Sequence, residues 1–299
     1  MVDLKNKDNQ KSDIKMATLE EHQTAMLDLL ERLDSICQKY DIPYMLFAGS
    51  MLGAVRHKGF IPWDDDVDVV MLRKDYEKFL SVSEIENQGS KYFTQRELSE
   101  HWPMYFSKLR LNNTTCLEKY HPKDPLIHQG VYIDIFPCDN ASNSAFVRKL
   151  QFLSSKIFIA RCLDIRGYET NSKAKKLFML ISKLLPIKLL NKFSRFSKYT
   201  DTKYVHTFYG GSSKLSKSVY PREWFEKTKR VDFEKKQFPI SCYYDELLTL
   251  MYGDYMMLPP PELRTCKQHA ILVDLNNSYE AYSHFRDDME FDVFTRSIR

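Results

Sequence analysis

The chain has 299 residues, of which 43% are hydrophobic, 13% aromatic and 28% charged, and its formal charge is +4. This is ample apolar material for a sizeable core in one large domain or two small ones, and it excludes a disordered chain. A charge so small gives no electrostatic reason for a nucleic-acid partner, and no run of about 18 apolar residues is present to span a bilayer.

Six cysteines (Cys37, Cys116, Cys138, Cys162, Cys242 and Cys266) are scattered without a C-x-x-C pair. The opening stretch, Met1 to Met16, is polar and charged and lacks the apolar centre of a secretion signal. Together these features point to free thiols in a reducing, cytoplasmic setting, with neither a disulfide framework nor a zinc site.

In chain order, residues 1–15 read as a polar arm. Thr18 followed by Glu21 fits a capping box at a helix start. Met26, Leu29, Leu30, Leu33, Ile36, Cys37 and Tyr40 then recur at helical spacing, so a packing helix is predicted to about Tyr40, ended by Asp41-Ile42-Pro43. Tyr44 to Ala48 suits a short buried strand. Gly49-Ser50 forms a corner, with Ser50 expected to cap a short helix over Met51 to Arg56. A glycine at such a corner lets a phosphate approach the backbone, and the helix start offers it free amides. A plain N-cap accounts for the same two residues. Arg56, His57 and Lys58 follow as a basic cluster; for Arg56 and His57 ligand contact is expected, while Lys58 fits a solvated turn equally well.

The next stretch is Ile61-Pro62-Trp63-Asp64-Asp65-Asp66-Val67-Asp68-Val69-Val70-Met71. Its alternation of acid and β-branched residue is the period of a strand. On a strand Asp64, Asp66 and Asp68 share a face, with same-face neighbours roughly 7 Å apart. Carboxylates that close raise each other's pKa. A divalent cation between them removes the penalty, and hard oxygens suit Mg²⁺. A solvated acidic edge is the alternative; Val67, Val69, Val70 and Met71, which would bury the other face, favour the cation.

Asp75 to Leu80 looks helical and Glu84 to Ser90 a loop. Met104 to Leu111 is predicted as a strand in which Lys108, if it shares the carboxylate face, suits a phosphate. Gly130 to Pro137 is the next strand. Val131, Ile133 and Ile135 make one face, so Asp134 points the other way, where it costs stability unless paired or bound to a cation. A helix is predicted over Ser144 to Leu163. Residues 171–200 carry eight Lys or Arg and no Asp or Glu, among many Leu, Ile and Phe. Such a basic amphipathic segment, broken by Pro186, suits an anionic membrane surface; an ordinary helical insertion with solvated lysines fits it as well. Residues 220–240 read as loops and short strands, and Tyr243 to Met251 as a helix that Gly253 ends. Pro259-Pro260-Pro261 stiffens the approach to Arg264 and His269. No internal repeat or low-complexity linker is present, which argues against cleanly separated domains.

The Gly-Ser corner, the Asp66–Asp68 strand and the Asp134 strand together can hold one or two Mg²⁺ ions against a phosphate chain. This arrangement is similar to the nucleotidyltransferase superfamily, marked by a Gly-Gly or Gly-Ser corner followed by an acid–apolar–acid strand. The run from Gly49 to His57, with Ile61 to Asp68, resembles more narrowly the LicD family of phosphocholine transferases; fukutin-related ribitol-phosphate transferases are more distantly similar. Ile133 to Pro137 and Tyr252-Gly253-Asp254-Tyr255-Met256 through Pro260 resemble that family's later blocks. The likeness covers roughly 20–140 and 220–270 and leaves out 141–219. The spacing from Gly49-Ser50 to Asp66 is long for the wider superfamily and ordinary for LicD proteins.

The resemblance implies an α+β fold, a nucleotidyltransferase-like mixed sheet flanked by helices, divided as an arm (1–15), a catalytic core (16–140), a helical basic insertion (141–219) and a C-terminal region packing on the core (220–299). It implies transfer of a phospho-alcohol, most commonly phosphocholine, from a CDP-activated donor to a sugar hydroxyl. The acceptor would be a surface glycan, teichoic acid or lipopolysaccharide, or a lipid-linked precursor, and CMP would leave. Asp66 and Asp68 would ligate Mg²⁺ or Mn²⁺, with Asp134 as a shared ligand or as the base. Gly49 and Ser50 would seat the donor phosphates, with Arg56, His57 and Lys108 beside them. The location implied is cytoplasmic, with peripheral contact at the inner face of the membrane. No cysteine or serine with a neighbouring base is evident, which disfavours a covalent intermediate. Two other readings fit the acids: a nucleotidyltransferase that releases pyrophosphate, and a non-catalytic membrane-associated scaffold in which they bind Ca²⁺.

Overall fold

The computed structural model describes residues 16–118, 124–166, 168, 170–185, 202–209, 214–264 and 270–282. Helix α1 (Leu19–Tyr40) starts as its sequence demands. The Thr18 side chain accepts from the Glu21 N–H, and the Glu21 carboxylate accepts from the Thr18 N–H at 2.8 Å. Its apolar stripe, Met26 through Cys37, is buried, and Asp41 ends it in the left-handed region at φ 50°.

The sheet that α1 covers is α+β in pattern. Strands β1 (Met45–Leu46), β2 (Asp68–Leu72), β3 (Tyr92–Gln95), β4 (Ser107–Leu111) and β6 (Tyr132–Ala141) stand in the order β1-β2-β6-β4-β3. Only β2 and β6 run parallel; β1 on β2, β4 on β6 and β3 on β4 are antiparallel. Between them lie α2 (Ala48–Arg56), α3 (Arg73–Glu86) and β5 (Thr115–Glu118). The end of β6 continues into β7 (Tyr204–His206), which pairs with β8 (Val219–Pro221). Val69, Leu109, Ile133 and Ile135 are fully buried, so the alternating apolar positions of three neighbouring strands build the centre of the core.

Four local expectations are corrected here. The acidic stretch is a strand only from Asp68 onward; residues 64–67 have no ladder. The partner strand β1 is two residues long, because Ala48, at φ 46°, turns the chain straight into α2. Ser50 is not the cap of α2: Phe47 occupies that position without a side-chain hydrogen bond, and Ser50 lies in the first turn. The helix of Asp75 to Leu80 extends from Arg73 to Glu86, absorbing the start of the expected loop.

Beyond the sheet, α4 (Ala145–Arg166) buries Phe158 and Cys162 in the main core. Helix α5 (Lys173–Leu184) packs on α4 through Lys183–Asp164 at 2.8 Å and an Arg161 bond to the Ser182 carbonyl at 2.6 Å. A short helix α6 (Glu223–Glu226) precedes the hairpin β9 (Thr228–Phe233) and β10 (Lys236–Ser241). Helix α7 (Tyr244–Tyr252) ends at Gly253, whose φ of 77° suits a residue without a Cβ. Strand β11 (Ala270–Asp274) pairs with β5. Residues 1–15, the basic segment beyond Leu185 with Pro186 (186–200), Cys266 and His269 lie outside the described residues; Cys37, Cys116, Cys138, Cys162 and Cys242 are free thiols.

Candidate active site

The acidic stretch is held from several sides. The side chain of Gln23 on α1 donates to the Asp64 carbonyl at 2.9 Å. The hairpin tip contributes Glu234, which accepts from the Phe60 N–H at 3.0 Å while its own N–H binds the Lys58 carbonyl. Ser50 turns inward, and its Oγ accepts the Asp68 N–H at 2.8 Å, tying α2 to the first residue of β2. A Cβ on Gly49 would lie 2.9 Å from Asp64 Oδ2, so a side chain there would push this carboxylate aside.

The sheet register then sets the main charges in a row. Asp68 of β2 stands directly opposite Asp134 of β6, and Asp134 opposite Lys108 of β4. The Asp134 N–H also donates to the Val67 carbonyl at 2.8 Å, locking the two strands at this level. Lys108 is 2% exposed. Its ammonium lies 3.0 Å from Asp134 Oδ1 and 3.1 Å from Glu118 Oε1 and rests on the Tyr132 ring. The expectation of a lysine facing a donor phosphate therefore meets a different arrangement: its charge is matched inside the protein by two carboxylates. Glu118 in turn receives Arg166 from α4.

The electrostatics follow from this crowding. Burial pushes the Asp68 carboxyl well above the usual range, and Asp66, Asp134 and Asp64 add to the rise against the opposing pull of Lys108. Burial raises Asp134 too, with Lys108 pulling back. For Glu118, burial opposes the charge, but Lys108, Arg166 and Arg110 outweigh it and hold the group far down. Asp134 Oδ1, buried, lies 3.0 Å from the Lys108 ammonium.

Of the other expected site residues, Arg56 donates to the carbonyls of Tyr255 at 2.7 Å and Met257 at 3.4 Å, fastening α2 to the loop after α7. Its Nε donates to His57 Nε2 at 3.0 Å, and His57 meets the edge of Trp63. Burial and then Arg56 lower the His57 pKa; burial and then Arg264 lower that of Arg56. Two groups not singled out from the sequence thus join the site. Arg264 lies within the field of Arg56, and Tyr252 feels Asp68, Asp64 and Asp66, which after burial raise its phenol. Tyr252 opens the Tyr252-Gly253-Asp254 block and Arg264 follows the proline run, but neither stretch gives its residue a site role.

Among the described residues no three Asp, Glu, His or Cys side chains already converge as a metal cage. The donor chemistry nevertheless fits a hard divalent ion, because Asp68 is crowded by three carboxylates whose repulsion a cation would relieve.

This acid row on a mixed α+β sheet lies inside residues 41–161, which match the nucleotidyltransferase domain of the LicD/FKTN/FKRP family, and the class it defines is a phosphotransferase-type enzyme. Over 261 residues, 83% of this chain and 95% of the relative, it is 31% identical to the lipopolysaccharide cholinephosphotransferase LicD of Haemophilus influenzae. The chain belongs to the LicD family. Shorter matches are an uncharacterised protein of Rickettsia typhi, 34% identical over 58 residues and 19% of each chain, and one of Rickettsia prowazekii, 37% identical over 51 residues, 17% of this chain and 19% of that one.

Proposed function

We propose that the protein transfers a phospho-alcohol, phosphocholine foremost, from a CDP-activated donor to a sugar hydroxyl of a lipopolysaccharide-type glycan or its lipid-linked precursor, releasing CMP. The observation that carries the reading is the Asp68–Asp134 pair in register on parallel strands within the LicD-matched segment. A divalent cation, Mg²⁺ or Mn²⁺, bound by Asp66 and Asp68 with Asp134 as third carboxylate, would offset the charge of the donor's phosphates. Asp134 takes the proton of the acceptor hydroxyl as its oxygen attacks the alcohol-bearing phosphorus. The bond to the bridging oxygen breaks, and CMP leaves with that electron pair. Lys108 holds Asp134 in place, and Ser50 holds Asp68 through its N–H. Gly49, Arg56 and His57 border the donor side.

Mixing the protein with Mg²⁺, acceptor glycan and a panel of CDP-choline, CDP-ethanolamine, CDP-glycerol and CDP-ribitol tests this. CMP formed with CDP-choline supports the reading. Pyrophosphate formed from CTP and a phospho-alcohol assigns nucleotidyl transfer in its place, and no turnover with any donor returns the scaffold reading.

The same proposal extends to contact with an anionic membrane surface. On α5, Leu177, Leu180 and Leu184 are more than half exposed, beside Lys173, Lys175, Lys176 and Lys183. No helix among the described residues is long and apolar enough to cross a membrane. Vesicles containing anionic lipid should retain the protein and release it as salt rises. Equal sedimentation with neutral vesicles would reduce α5 to a solvated insertion.

A further inference from the structure

Residues 57–67, between α2 and β2, form neither helix nor strand, yet they carry Asp64 and Asp66 to the acid row. A segment without a ladder keeps its shape through contacts made to it from outside. Ser50 and Gln23, both from the N-terminal part of the chain, hold the Asp68 N–H and the Asp64 carbonyl. The start of the segment is held from the opposite end of the sequence, by the turn between β9 and β10.

That turn has an unusual residue at its tip. Phe233 pairs with Lys236, so Glu234 and Lys235 form a two-residue turn, and Glu234 stands at φ 54°. Left-handed positions in such turns ordinarily take Gly or Asn, because a Cβ is disfavoured there. Lys58, which Glu234 meets, is left-handed too, at φ 61°. The two are bonded: the Glu234 N–H donates to the Lys58 carbonyl at 2.8 Å, and Glu234 Oε1 accepts from the Phe60 N–H at 3.0 Å. The rings of Phe60 and Phe233 meet edge to face at 5.0 Å. Gly59 lies between the two bonds, and a Cβ on it would overlap Glu234 Oε1. A turn that only had to reverse the chain would need no carboxylate. Strain accepted at two facing residues, around a side chain aimed at one backbone N–H, marks a contact with a use.

We propose that Glu234 is a positioning residue for the acid row: by clamping Lys58 and Phe60 it fixes the entry of residues 61–68 and so the places of Asp64 and Asp66 beside Asp68. The inference rests on the reading of that row as a divalent-cation site. With the clamp released, only a fraction of the molecules holds the acids together, and the apparent affinity for the ion falls by that fraction.

The test uses the full-length protein and Mn²⁺, read as the rise of the thermal midpoint with ion concentration, beside metal-free denaturant melts of the same variants. Glu234→Ala should raise the half-saturating Mn²⁺ concentration about tenfold, the equivalent of one lost hydrogen bond. Glu234→Gln keeps an acceptor oxygen and should recover most of that loss. Gly59→Ala, which pushes the carboxylate aside, should imitate Glu234→Ala, and the two together should be no worse than Glu234→Ala alone. Should Glu234→Ala not fold, Gly59→Ala against wild type makes the same comparison. A wild-type midpoint indifferent to Mn²⁺ would sink the cation reading and this role with it. A wild type that responds, with Glu234→Ala sharing its half-saturation, overturns the role alone. So do additive losses in the double variant, or a loss confined to metal-free stability.

Discussion

Replacing Lys108 by Met is the most direct trial of the acid row. The ammonium is 2% exposed, 3.0 Å from Asp134 and 3.1 Å from Glu118, so its removal strands buried negative charge without offering water in exchange. Glu118 keeps Arg166, but Asp134 would face Asp68 with its touching counter-charge gone. Breaking a buried pair from one side costs about 3–5 kcal/mol. For chains of a few hundred residues that is about 6–20 °C in unfolding midpoint. Asp134→Asn added to Lys108→Met removes the stranded charge and should restore more than about 1 kcal/mol, the usual size of coupling between touching residues. Denaturant melts of wild type, both single variants and the double variant measure this cycle. A Lys108→Met variant within about 1 kcal/mol of wild type, or a double variant no more stable than Lys108→Met, would refute the buried pairing.

Asp68→Asn should abolish turnover by a factor of about 100 or more while leaving the fold intact or slightly steadier. The native carboxyl is raised above its unfolded value, so it binds its proton more tightly when folded, and its charge weakens the fold as pH rises above about 4. A lower melting midpoint for Asp68→Asn at neutral pH would contradict that sign. Mg²⁺ or Mn²⁺ should raise the midpoint of wild type by mass action and have a much smaller effect on Asp68→Asn; equal shifts in both would place the ion elsewhere. His206 is buried, stacked on Phe208, and held down to about 4 by burial, with Asp139 opposing and Arg73 assisting. Between its unfolded pKa of about 6.5 and that value the unfolded chain binds one more proton, so stability should fall by about 1.4 kcal/mol per pH unit as pH drops. A His206→Gln variant should lose that slope, and parallel pH profiles for the two proteins would refute the assignment. Ser50→Ala should cost about 1–3 kcal/mol through the stranded Asp68 N–H, read as a lower denaturant midpoint at unchanged slope.

What the sequence makes legible here is what depends on near neighbours. The Thr18–Glu21 box and the stripe after it are i to i+3 and i to i+4 relations, and they fix both ends of α1 within a residue. Alternation around Asp68 and Asp134 shows that each sits opposite a buried face, although nothing in either stretch says that the two strands are neighbours, parallel and level. That the acidic strand begins only at Asp68 and not at Asp64 is not legible, because a strand needs a partner and β1 is cut short by the turn at Ala48. The partners of Lys108 lie further from any local pattern. Glu118 follows ten residues later across a turn, and Arg166 comes from α4, in a segment where the sequence reading finds no motif. Yet Arg166 holds Glu118, Glu118 holds Lys108, and Lys108 faces Asp134. Charges of alternating sign thus join α4 to the acid row, so the segment that local sequence reading leaves aside is built into the support of Asp134, the proposed third carboxylate of the site.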